Sequence, residues 1–194
     1  DVGPGAFSIT ADDGNITFSA VLSADDSNLS LVLAAGDTVN FVGNVDASGG
    51  EEIHDLTVDA AIVHVDTETV TVENHLDLSG SEAVQVDGLL SVYTSNNGNI
   101  IFNANGNLDA VDSTETLNLV ATNGRVVLGT VGDSVPFASL DIDADSDGSV
   151  GVGGAAAELN GNITAVGVIT FAGSPNVDLS GDVSVTSSGA GDIT

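Results

Sequence analysis

Residues 116–130 read TLNLVATNGRVVLGT. Two apolar pairs, Leu117/Leu119 and Val126/Leu128, flank a polar Thr-Asn-Gly turn. Strict period-2 alternation puts each pair on one face of a strand, and Asn-Gly is strong turn chemistry. The stretch therefore predicts two short strands joined at a glycine corner.

The form recurs outward from it. GNITF at 14–18 matches GNIIF at 98–102, with GRVVL at 124–128, GSVGV at 148–152, GNIT at 161–164 and GDIT at 191–194. A second apolar pair precedes most of these glycines, as in Phe7/Ile9, Leu29/Leu31, Leu90/Val92, Leu117/Leu119, Leu140/Ile142 and Val183/Val185. Leu56/Val58 has no matching glycine. Pair starts at 7, 29, 56, 90, 117, 140 and 183 recur at about 20–30 residues, with the last interval fitting two coils, the signature of a solenoid.

A single coil cannot bury its apolar side, whereas stacked coils bury a continuous column. The expected fold is all-β: a parallel β-helix, or β-solenoid, of about eight coils. Right-handed crossover is the default. At about 4.8 Å per coil the rod is roughly 40 Å long. Residues such as Ile16, Val39, Leu56, Leu90, Val92, Leu117, Val126 and Leu140 should point inward. The alternative, a β-sandwich, leaves the recurrence of both pairs about one glycine unexplained. Residues 1–194 read as one solenoid segment of a longer or polymeric assembly, with 43–89 the least regular part, expected as a lateral loop.

Composition narrows the partners. The chain has 29 acids, one base (Arg125) and net charge −28. Nucleic acid is close to excluded, because affinity for it rests on Lys and Arg displacing counterions. Anionic membrane surfaces are disfavoured too. No apolar run reaches the roughly 20 residues of a spanning helix, so membrane insertion is not expected. There is no Cys, so neither disulfides nor Cys-ligated zinc are available.

Twenty-two of the 29 acids are Asp, concentrated where the repeat places turns. Like carboxylates stacked about 4.8 Å apart repel by about 0.9 kcal/mol even in water. Divalent cations or high salt should therefore stabilise the rod. The sharpest local motif is DIDADSDG at 141–148. Its alternating carboxylates, Asp141, Asp143, Asp145 and Asp147, suit a hard cation such as Ca²⁺. An EF-hand is excluded, since position 154 is Gly where the bidentate Glu belongs. His54, His64 and His75 lie near acids but read as surface histidines. Arg125 is expected to point outward and pair with an Asp of a neighbouring coil. No nucleophile elbow, zinc-protease or phosphate-loop motif is present, and paired carboxylates are inevitable at this acid density.

The recurring L-x-V…G-x-I-x-F units, with GNITF, GNIIF and GDIT, resemble the degenerate repeats of filamentous-haemagglutinin-like adhesins and other large bacterial secreted β-helix proteins. The resemblance covers most of the chain. It implies a right-handed parallel β-helix, export across an outer membrane, and adhesive or fibrous roles. The expected function is accordingly a non-enzymatic structural or adhesive segment at a bacterial cell surface or outside the cell, such as a filament or sheath subunit. Its partners would be copies of itself or further repeats stacked end to end, or a glycan or host-surface ligand. A Ca²⁺-dependent carbohydrate-binding module is the alternative, and a polysaccharide-degrading β-helix enzyme a more distant one.

Overall fold

The computed structural model describes residues 6–25, 28–46, 51–102, 106–144, 157–173 and 176–194. Every regular element within them is a strand, and neighbouring strands pair in parallel. The chain winds about seven turns of a β-solenoid, close to the eight expected. No described helix is long and apolar enough to cross a membrane.

Each turn visits three stacks. The first contains β1 (Ala6–Ala11), the first halves of β3 (Ser30–Phe41) and β4 (Leu56–Val65), then β6 (Leu76–Leu78), β9 (Ile100–Phe102), β12 (Val126–Leu128), β15 (Ala157–Leu159) and β18 (Val177–Leu179). The second contains β2 (Ile16–Phe18), the second halves of β3 and β4, then β7 (Ala83–Val86), β10 (Asn107–Ala110), β13 (Thr130–Val131), β16 (Ile163–Ala165) and β19 (Val185–Ser187). The third contains β5 (Thr69–Val72), β8 (Leu90–Ser95), β11 (Thr116–Ala121), β14 (Ser139–Ala144) and β17 (Ile169–Thr170). Single parallel bridges extend it through Leu22, Val45 and Ile193.

The core is the column of inward side chains. Leu76, Ile100, Val126 and Ala157 lie over one another in the first stack, all essentially without solvent contact. Leu117 and Leu140 do the same in the third. Each such Leu or Ile contributes about 1.5–3 kcal/mol of burial, repeated at every coil. Phe18 and Phe41 stack face to face at 5.6 Å between ring centres. Phe7 and Leu179 also take inward registers, against Leu31 and Leu159, yet are 57% and 51% exposed because no described coil covers them.

Three sequence expectations need correction. Within the 43–89 stretch expected as a lateral loop, residues 56–86 are regular. They form β4 to β7 inside the stacks, and their Glu and His lie on corners and outer faces. Leu90 and Val92 do not point inward: Leu90 is 50% exposed, and Ser91, Tyr93 and Ser95 face the core. A one-residue slip along a pleat exchanges the two faces, and Tyr93 supplies more buried area than either aliphatic residue. Its hydroxyl sits beside Ser91 with no hydrogen bond of good geometry, and burial pushes its ionisation well above the ordinary value. Finally, the glycine-led units do not occupy one stack. GNITF places Ile16 and Phe18 in the second, while GNIIF places Ile100 and Phe102 in the first.

Candidate functional site

Among the described residues, the densest side-chain network lies at the corner leading into the first stack. Asp55, His75, Asn99 and Arg125 each immediately precede a strand of that stack, so parallel pairing places them one above another. The first three side chains each accept from the backbone of the next coil. The His75 N–H donates to Asp55 Oδ1 (3.1 Å), Asn99 N–H to His75 Nδ1 (2.9 Å), and Arg125 N–H to Asn99 Oδ1 (2.9 Å). This ladder adds side-chain bonds to the backbone bonds joining the same coils, such as Ile100 N–H to Arg125 O at 2.9 Å.

Asp55 is its hub. Asn74 Nδ2 reaches Oδ1 at 2.8 Å, while Ser30 Oγ and His54 Nδ1 reach Oδ2 at 2.9 and 3.0 Å. Burial by itself raises this carboxyl, but the bonds from His54, Ser30, the His75 N–H and Asn74 outweigh it and hold the pKa at about 2. His54 donates from Nδ1 to an ionised carboxylate, and His75 keeps Nδ1 free of a proton to accept. Arg125 completes the corner by pairing with Glu158 of the next coil at 3.4 Å. The sequence led us to expect an Asp as its partner; a Glu on the outer face of β15 has the extra methylene that spans the coil step.

The proposed cation ligands are divided. Asp141 and Asp143 alternate on the outer face of β14, with Asn118 and Thr170 beside Asp141 and Val120 beside Asp143. Asp145 and Asp147 lie outside the described residues. In both Asp141 and Asp143 the Oδ1 atom is buried without a hydrogen-bond partner. Burial, and after it the Asp141 charge, raise the pKa of Asp143. No group of three or more His, Asp or Glu arranged to hold a metal ion occurs among the described residues. His64 stands apart, 3.7 Å from Asp87.

Clefts among the described residues open on the outside. One of about 290 Å³ is lined by Gln85, Asn107, Asp109 and Val111 among others. Its carboxylate is already committed, Asp109 Oδ1 accepting from Ser134 N–H (3.1 Å) and Val135 N–H (3.4 Å). Another, of about 200 Å³, lies over Gly36 between Asp12 and Asp59. Neither is lined by an aromatic ring on which a sugar could stack.

The network at Asp55 is not legible in the sequence, because its members share no residue type. Their common signal is position, one residue before each apolar pair of the first stack. No family profile matches the chain, and no curated protein or solved structure is significantly similar to it.

Proposed function

We propose that this chain is a non-enzymatic structural or adhesive segment of an extracellular or bacterial cell-surface protein, of the filamentous-haemagglutinin-like kind, in which the solenoid column is a rod extended by strand addition. The observation that carries the reading is at the outermost described coils. Among the described residues β1 and β2 pair only with β3, β18 only with β15 and β19 only with β16, and no described coil covers the inward-facing Phe7, Val177 and Leu179. Parallel edges of this kind template further strands. The partner is a further repeat or a second copy. The test is negative-stain imaging and light scattering of purified protein with and without a Leu179→Lys change. Rods lengthening with concentration, and shortened by the substitution, support the reading. Particles of one coil-stack length at every concentration refute it.

A second reading is favoured by the orphaned oxygens of Asp141 and Asp143. We infer a Ca²⁺ position at this face, which would suit a Ca²⁺-dependent glycan-binding module. Asp143 has a raised folded pKa, so its contribution is favourable below the ordinary value of 3.8 and is lost as pH rises through the folded pKa. A bound divalent cation reverses that sign. In EGTA at neutral pH, Asp143→Asn should therefore raise the melting temperature, while millimolar Ca²⁺ raises that of the native protein alone. Equal Ca²⁺ shifts in both proteins would reduce the effect to general charge screening.

A further inference from the structure

The exposed apolar side chains of this rod are not scattered. Away from its outermost coils, the large exposed hydrophobics all lie at one edge, where the second stack turns into the third. Val42 follows β3, Val111 follows β10, and Leu89 and Leu90 lead into β8, exposed by 47, 42, 68 and 50%. Val166 and Val168 stand at the same edge before β17, beyond the 132–138 turn, which carries no large exposed hydrophobic. The other two edges contribute none among the described residues. Single exposed apolar residues need no explanation, but a row along one edge marks an interaction surface.

The edge is rigid. Val42, Asp66, Asp87 and Val111 are successive rungs, each N–H bonded to the coil before it at 2.8–3.0 Å. The turn that displays Val111 contains a buried carboxyl group. Glu115 is 2% exposed and accepts from Asp112 N–H (3.3 Å) and Thr114 N–H (3.1 Å). Ser113 within it is held at φ 68°, a left-handed conformation that a β-carbon disfavours. The buried Glu115 side chain and the left-handed Ser113 together shape the turn that presents Val111 to solvent.

Acids interleave with this row. Asp66 and Glu68 fill the rung that lacks an apolar residue, and Asp87 and Asp112 stand beside Leu89 and Val111, all exposed. With net charge −28 and one basic residue in the chain, a second copy presents the same repelling face. We propose that this edge docks a basic amphipathic protein segment, its aliphatic side chains on the Val42–Leu89–Val111 row and its Lys or Arg on the interleaved carboxylates. The proposal is independent of end-to-end stacking, because it uses a lateral edge.

The test uses a designed Leu/Lys amphipathic helical peptide as probe and poly-lysine of equal charge as control, by calorimetry at near-physiological salt. A Val42→Ser/Leu89→Ser/Leu90→Ser/Val111→Ser protein should bind the peptide at least about tenfold more weakly with poly-lysine binding unchanged. Asp66→Asn/Asp87→Asn should weaken both. If the fourfold variant fails to fold, Leu89→Ser alone, at the most exposed site, should still weaken the peptide about threefold. Unchanged peptide affinity in the folded variants overturns the proposal. So does a native protein that dimerises in sedimentation while the fourfold variant does not, since the occupant is then a second copy.

Discussion

Replacing Gly124 with Ala is expected to destabilise the fold by about 3 kcal/mol, near the top of what overpacking costs. A β-carbon built there would lie 1.8 Å from the Gly98 carbonyl oxygen and 2.4 Å from its carbon. Both obstacles are backbone, so no rotamer change can relieve them. The coils themselves must part, and here they are held by Ile100 N–H to Arg125 O and Arg125 N–H to Asn99 Oδ1, both 2.9 Å. Gly98 has the same relation to the coil before it, with Asn74 O at 2.5 Å. Gly14 is the control: it leads an almost identical GNI sequence, yet a β-carbon there meets nothing within 4 Å. Gly14→Ala should be neutral, within about 0.5 kcal/mol. Urea unfolding of the two variants checks this. Equal stabilities would mean that the coils are not stacked at the described distance.

That comparison also shows what the sequence can and cannot convey. Period-2 alternation reveals strands, and repetition about glycine reveals stacking, because both follow from local sterics and from the need for each coil to cover the next. The number of faces is not legible. A pleat looks the same on every side of a triangular coil, and a glycine is needed wherever coils approach closely, at whichever corner. GNITF and GNIIF therefore read as one unit while belonging to different stacks. In the same way Leu90/Val92 matches the aliphatic template, but the packing of Tyr93 between Val70 and Leu119 fixes the register and turns Leu90 outward. The DIDADSDG run is visible as a candidate from its spacing alone. The Asp55 hub is not, since its chemistry depends on residues 19–25 positions away in neighbouring coils.

That hub makes Asp55→Asn the second large effect, a loss of about 2 kcal/mol at neutral pH. The carboxylate serves four donors from three successive coils: Ser30 and His54 on Oδ2, Asn74 and the His75 N–H on Oδ1. An amide of the same shape turns one acceptor into a donor. Whichever way it is placed, two donors then face an N–H₂ group, and unsatisfied buried donors each cost about 1–3 kcal/mol. The pH dependence separates this from simple loss of packing. Asp55 titrates at about 2 when folded against 3.8 ordinarily, so its stabilisation is complete above 3.8 and disappears as pH falls toward 2. With the side chain 30% exposed, solvent screening reduces that swing to about 1 kcal/mol. Thermal melts between about pH 5 and 2 should show the native protein losing this increment, so that its advantage over the Asp55→Asn variant narrows by about 1 kcal/mol toward the acid end. Parallel curves would show that Asp55 titrates alike in the folded and unfolded chain, so that its four donors do not favour the ionised form.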